Sequence, residues 1–144
     1  MKKTILFLCT GNSCRSQMAE GWCRHLWNDL FDCYSAGTHK HGMNQRAIQS
    51  MKNAGVDISS HFSKTTEELP KIQFDYIITV CDSAKEACPY FPGGKIIHIG
   101  FQDPPALTKT MTDETEIMNI YNRVRDEIKE AILKLPQTLG VKHD

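Results

Sequence analysis

The chain has 144 residues, 40% of them hydrophobic and 24% charged, which suits one globular domain around one core and excludes a disordered or fibrous protein. Lys plus Arg and Asp plus Glu both number 17, so the net charge is zero and offers no attraction to nucleic acid or to a membrane surface. Two lysines precede an apolar run at 5–9, but the run is too short for a secretory signal and leads into Gly-Asn-Ser-Cys-Arg rather than a small-residue cleavage site. No stretch reaches the roughly 18 apolar residues of a membrane helix. A cytoplasmic protein with residues 1–144 as a single domain is therefore expected, acting as a monomer. Its six cysteines then point to redox chemistry or metal binding rather than to a secreted disulfide framework.

In chain order, residues 3–8 read as a short, fully buried strand. Residues 16–30 read as a helix, with Met18, Ala19, Trp22, Leu26 and Leu30 near helical spacing. A second strand is expected at 32–36, ending in a Gly37 turn. A second helix is expected at 44–54, with Ala47, Ile48 and Met51 inward and Gly55 as its C-terminal cap. Residues 74–80 are rich in β-branched and aromatic side chains and predict a third strand. Residues 95–99, set off by Pro92-Gly93-Gly94, predict a fourth. From 112 to 135, Ile117, Ile120, Tyr121, Val124, Ile128, Ile132 and Leu135 recur at three or four residues, marking a long amphipathic helix that Pro136 is expected to end. Strands alternating with helices imply an α/β fold with a central four-stranded parallel sheet and helices on both faces. Ligands in such sheets bind beyond the carboxyl ends of the strands. Cys9, Cys81 and Asp103 each follow a predicted strand there.

The segment Cys9-Thr10-Gly11-Asn12-Ser13-Cys14-Arg15-Ser16 joins the first strand to the first helix. A loop so placed turns several backbone N–H groups inward, and the helix N-terminus adds partial positive charge. Thr10, Gly11, Asn12, Ser13, Cys14, Arg15 and Ser16 are thus candidates for oxyanion binding. Arg15 can offer a planar fork to two oxygens of a tetrahedral oxyanion. The same positive field favours a thiolate on Cys9, to which Ser16 can donate a hydrogen bond. The loop lacks the Gly-Lys-Ser/Thr of a nucleotide-binding loop and matches Cys-x5-Arg-Ser. A plain turn with a buried Cys9 is the alternative reading. Further on, Cys81 and Cys88 lie seven residues apart, poor spacing for structural zinc. If the segment between them is helical they stand about two turns apart. A disulfide would then need that segment to bend, since α-carbons must come within roughly 7 Å. Spacing alone leaves open whether they are redox partners or small core residues. Asp103, in Asp103-Pro104-Pro105, reads by residue type as a turn-forming aspartate before proline.

The loop, together with 17–21, 34–37, 57–61, 80–82, 88–89, 103–104 and 123–128, resembles the low-molecular-weight protein tyrosine phosphatases. It resembles more closely their relatives, the thioredoxin-coupled arsenate reductases, and the likeness spans nearly the whole chain. The resemblance implies a low-molecular-weight phosphatase-like fold and reduction of arsenate to arsenite. Cys9 would be the nucleophile and Asp103 the general acid. Cys81 would attack Cys9 sulfur to release arsenite, and Cys88 would then attack Cys81, leaving a disulfide for thioredoxin to reduce. It implies no bound cofactor. Some members bind potassium near the anion loop, and Asn12, Glu20 and Ser35 match that site. Phe62 and Lys64 stand where further oxygen ligands are expected, and an ammonium would oppose a cation, so no metal is expected. Tyrosine phosphatases of this fold often carry aromatic residues after Asp-Pro, where this chain has Pro105 and Ala106. A phosphatase acting on phosphate monoesters through Cys9 remains the alternative, and a non-catalytic anion- or metal-binding module a third reading. Cys14 could compete with Cys81 for Cys9, Cys23 and Cys33 read as core residues, and His39 and His41 as solvated loop residues.

Overall fold

The fold is known from a computed structural model that describes residues 2–82 and 89–142. Strand β1 (Lys3–Cys9) is an interior strand, so its side chains from Ile5 onward are buried on both faces. It pairs in parallel with β2 (Phe31–Gly37) on one side and β3 (Tyr76–Thr79) on the other. β4 (Lys95–His98) closes the order β2-β1-β3-β4. This is the parallel four-stranded α/β sheet expected from the alternating pattern.

Alternation along β1 divides the core. Ile5, Phe7 and Cys9 face the helices α1 (Arg15–Trp27), α2 (Gln45–Asn53), α4 (Glu114–Leu133) and α5 (Leu135–Leu139). Leu6 and Leu8 face the opposite layer, where Leu69, Phe74 and Phe91 pack beside a 3-10 turn at Thr66–Glu68. Tyr34 and Phe91 both meet Phe74 edge-on, at 5.4 and 6.0 Å. Helix α1 is seated on α4 by Trp22 Nε1, which donates to the Arg125 carbonyl at 3.2 Å, and by Trp27 Nε1, which donates to the Ile132 carbonyl at 2.7 Å. Ile117, Tyr121, Val124, Ile128 and Ile132 form the buried stripe of α4, as their spacing predicts.

Helix α2 starts at Asn44, whose side chain accepts from the N–H groups of Arg46 and Ala47. It closes at Gly55, where φ is +86°. At the other end of the chain the structure corrects the expected role of Pro136. α4 already ends at Leu133, and Pro136 sits in the first turn of α5, where a missing N–H costs nothing. A short helix, α3 (Pro104–Leu107), follows Asp103. Among the described residues no helix is long and apolar enough to cross a membrane.

Candidate active site

Cys9 ends β1, Arg15 begins α1, and the residues between them wrap a cavity of about 130 Å³. Cys9, Thr10, Gly11, Ser13, Cys14 and Arg15 line it, with His41, Asp103 and Pro105 arriving from elsewhere in the chain. Helix α1 lacks the usual polar N-cap: Cys14 occupies that position and makes no side-chain capping bond. The first-turn N–H groups of a helix have no partner within the helix, so here they remain available to an anion.

The loop's carbonyls are drawn the other way. Thr10 O accepts from His39 N at 3.0 Å and Gly11 O from His41 N at 3.1 Å. Ser13 O accepts from Asn44 N at 3.1 Å, and Ser63 Oγ also donates to Gly11 O at 3.0 Å. With the carbonyls held outside by 38–44 and 63, the N–H groups are left to converge. Gly37, paired with Cys9 across the sheet, lets β2 end against the loop; a Cβ there would lie 2.5 Å from Thr10 O.

Asn12 is the internal strut. It has φ +48°, a left-handed conformation that asparagine tolerates better than most residues. Its Oδ1 accepts from Gln17 Nε2 and from Lys64 N, both at 2.9 Å. Its Nδ2 donates to Ser16 Oγ at 2.8 Å. Because Ser16 Oγ accepts there, its own hydrogen is free to point at Cys9 Sγ, 3.2 Å away. Cys14, by contrast, is held as a thiol: burial pushes it up, and the charges of Asp103 and Cys9 add to that. A buried protonated thiol is a poor competitor for the Cys9 sulfur.

Arg15 is almost fully buried. Its Nη1 donates to the Phe101 carbonyl at 3.0 Å, and its Nε lies 3.6 Å from Asp103 Oδ1. The arginine therefore lines the cavity and also ties the Asp103 segment to the anion loop. Cys81 follows β3 at the same sheet edge; it is fully buried and disulfide-bonded, whereas Cys9, Cys14, Cys23 and Cys33 are free. Cys88 falls in 83–88, outside the described residues.

Behind the loop, the buried Glu20 accepts from Ser35 Oγ at 2.5 Å and from Arg24 Nε at 2.9 Å. Lys64 Nζ and His61 Nε2 each stand 3.9 Å from its carboxylate oxygens. Asn12 Oδ1 and both Glu20 oxygens, read as candidate cation ligands, thus face protein donors. Gln17 Oε1 can only accept, so His61 Nδ1, at 2.9 Å, carries the hydrogen of that pair. Burial holds both His61 and Lys64 below their ordinary ranges, with Glu20 opposing the shift.

The structure thus gathers Cys9, Thr10, Gly11, Ser13, Cys14, Arg15 and Asp103 around one cavity and sets Asn12 and Ser16 behind it. His41 is an exposed loop residue, as read from sequence, and it also borders this cavity. No spacing signal could have found it, because it reaches the site through backbone pairing with the loop.

Comparison with known proteins places the chain beside one family model, two curated relatives and one solved structure. The family model for low molecular weight phosphotyrosine protein phosphatase matches residues 4–144. An arsenate reductase of Halalkalibacterium halodurans is 44% identical over 138 residues, spanning 95% of this chain and 97% of its own. Arsenate reductase 2 of Staphylococcus epidermidis is 46% identical over 132 residues, spanning 91% and 94%. Among solved structures, an arsenate reductase in the phosphate binding state superposes with a TM-score of 0.76 at 26% identity, covering 94% of this chain and 98% of that one.

Proposed function

This chain belongs to the low molecular weight phosphotyrosine protein phosphatase family and, within it, to the arsenate reductases, and from that premise we propose that Cys9, Cys81 and Cys88 relay to arsenate the electrons that thioredoxin supplies. It is an oxidoreductase, and arsenical detoxification fits its chemistry. We place it in the cytoplasm, where thiols are kept reduced.

In the first step the Cys9 thiolate attacks arsenic. An As–S bond forms as an As–O bond breaks, and Asp103 gives its proton to the departing oxygen, which leaves as water. Ser16 steadies the thiolate until it attacks, and the loop N–H groups with Arg15 carry the oxyanion charge. In the second step the Cys81 thiolate attacks Cys9 sulfur. A Cys9–Cys81 bond forms, the As–S electron pair stays on arsenic, and arsenite departs with arsenic reduced from the pentavalent to the trivalent state. Cys88 then attacks Cys81, freeing Cys9, and the dithiol of thioredoxin reduces the final disulfide.

The observation that carries this reading is the register of two adjacent parallel strands. Leu8 pairs with Thr79, and Val80 N donates to Leu8 O at 3.0 Å, so Cys9 and Cys81 follow at one sheet edge. A phosphatase needs only the first of those thiols, and a second buried, disulfide-bonded cysteine at the same sheet edge favours reduction over hydrolysis. The likeness to an arsenate reductase in a phosphate binding state supports a tetrahedral oxyanion as substrate.

The test is single turnover by the reduced Cys88→Ser variant. The relay predicts about one arsenite per protein, with Cys9 and Cys81 recovered as one disulfide-linked peptide pair. Repeated turnover without Cys88 contradicts the relay. Hydrolysis of an aryl phosphate with no arsenite formed would establish a phosphatase instead.

A further inference from the structure

We propose that His41 is a substrate-contacting residue, donating a ring N–H hydrogen bond to the bound tetrahedral oxyanion from outside the anion loop. The inference rests on the reading of the cavity as an oxyanion site.

Three observations converge on His41. Its side chain lines the cavity together with Cys9, Arg15 and Asp103. Its ring lies so close to Gly11 that a Cβ on that glycine would collide with His41 Nδ1, so the imidazole fills space that any other residue at 11 would occupy. Its position is built rather than incidental. His39 N and His41 N donate to Thr10 O and Gly11 O, which fixes the backbone against the loop. The His39 ring then stacks on it, with centroids 6.2 Å apart and planes 13° from parallel. Among the described residues, no hydrogen bond engages the ring nitrogens of His41.

The chemistry of the other side chains shows what such a donor adds. Arg15 already gives one Nη1 hydrogen to Phe101 O and turns Nε toward Asp103. Asp103 is the proton source, and Cys9 must approach arsenic as an unhindered thiolate. Cys14 is a buried thiol and a weak donor. An imidazole N–H at 41 adds a side-chain donor to the loop N–H groups and Arg15. An imidazole carries at least one N–H whether neutral or protonated, so His41 can donate in either state. The backbone bond from His41 N to Gly11 O fixes where this exposed side chain leaves the main chain, beside the cavity. The contact is made to substrate oxygen rather than to the reacting sulfur, so it acts on binding in the ground state and the transition state alike.

The test measures binding of inorganic phosphate to the reduced full-length protein by calorimetry, beside the arsenate kinetics. Native protein, His41→Ala, His41→Phe and His41→Asn are compared, with thermal unfolding as a check on the fold. A hydrogen bond to a charged ligand predicts that the Ala and Phe variants bind phosphate about tenfold more weakly. Their KM for arsenate should rise by a similar factor, with kcat nearly unchanged. His41→Asn, which keeps an N–H donor near Nδ1, should recover most of the loss. Phosphate binding by the Ala variant equal to native overturns the proposal and leaves the oxyanion site standing. Native-like behaviour in Phe with loss in Asn overturns it in favour of a ring that only fills space. Failure of the native protein to bind phosphate overturns the oxyanion site and this inference with it.

Discussion

Asn12 shows how one buried amide can brace the loop around Cys9. Its amide joins Lys64 N, Gln17 and Ser16, and through Ser16 it reaches Cys9. Asn12→Ala should lower stability by about 2–3 kcal/mol, because it strands buried hydrogen-bonding groups and places a Cβ at φ +48° without the amide's compensation. Asn12→Gly loses the same bonds but not the backbone fit, and should recover about 1 kcal/mol of that loss in urea unfolding. His61 carries a pH dependence. The folded chain resists protonating it, mainly through burial, so its folded value lies below its unfolded one. As pH falls through the ordinary imidazole range the unfolded chain takes up a proton that the folded chain refuses, and stability drops; above that range the effect vanishes. Native protein should therefore lose more stability than His61→Asn between about pH 7.5 and 5.5, and equal losses would remove His61 as the cause. At this scale Cys9, Arg15 and Asp103 were legible in the sequence because their chemistry belongs to the residue type. Asn12 as strut and His41 at the cavity were not, since Asn12 closes on Lys64 and His41 on Gly11, contacts that only the fold brings together.

Hydrophobic periodicity found the sheet and the longer helices, because an interior strand and an amphipathic stripe each write their period into the chain. What it missed is local. α3 and α5 are too short to show a period, and Pro136 reads equally well as a stop for one helix or the first turn of the next. The start of α2 is a capping problem with a consequence for the site. Asn44 caps Arg46 N and Ala47 N, reaches Tyr121 Oη at 3.0 Å, and gives its own N–H to Ser13 O in the anion loop. Asn44→Ala should cost about 1–2 kcal/mol. Asn44→Ser should restore the cap without the Tyr121 contact and recover about half, as chemical denaturation can measure. If the brace at Ser13 also loosens in the Ala variant, the KM for arsenate rises while the Ser variant keeps its native value.

For the molecule as a whole, the order β2-β1-β3-β4 does what single elements cannot. It sets the ends of β1 and β3 side by side, and the Phe101 carbonyl, held by Arg15, brings Asp103 back over the loop. Alternating strands and helices announced a parallel sheet, and the rule that ligands gather at its carboxyl edge located the site. Strand order was not written there, because it depends on which faces the helices bury. In the proposed relay Cys9 is released by a second and a third thiol rather than by water. The most direct test follows arsenate-dependent NADPH consumption in the presence of thioredoxin and thioredoxin reductase, comparing native protein, Cys9→Ser and Cys88→Ser. The account predicts sustained consumption by the native protein, none by Cys9→Ser, and about one equivalent at most by Cys88→Ser. Sustained consumption by Cys88→Ser, or none by the native protein, would contradict it.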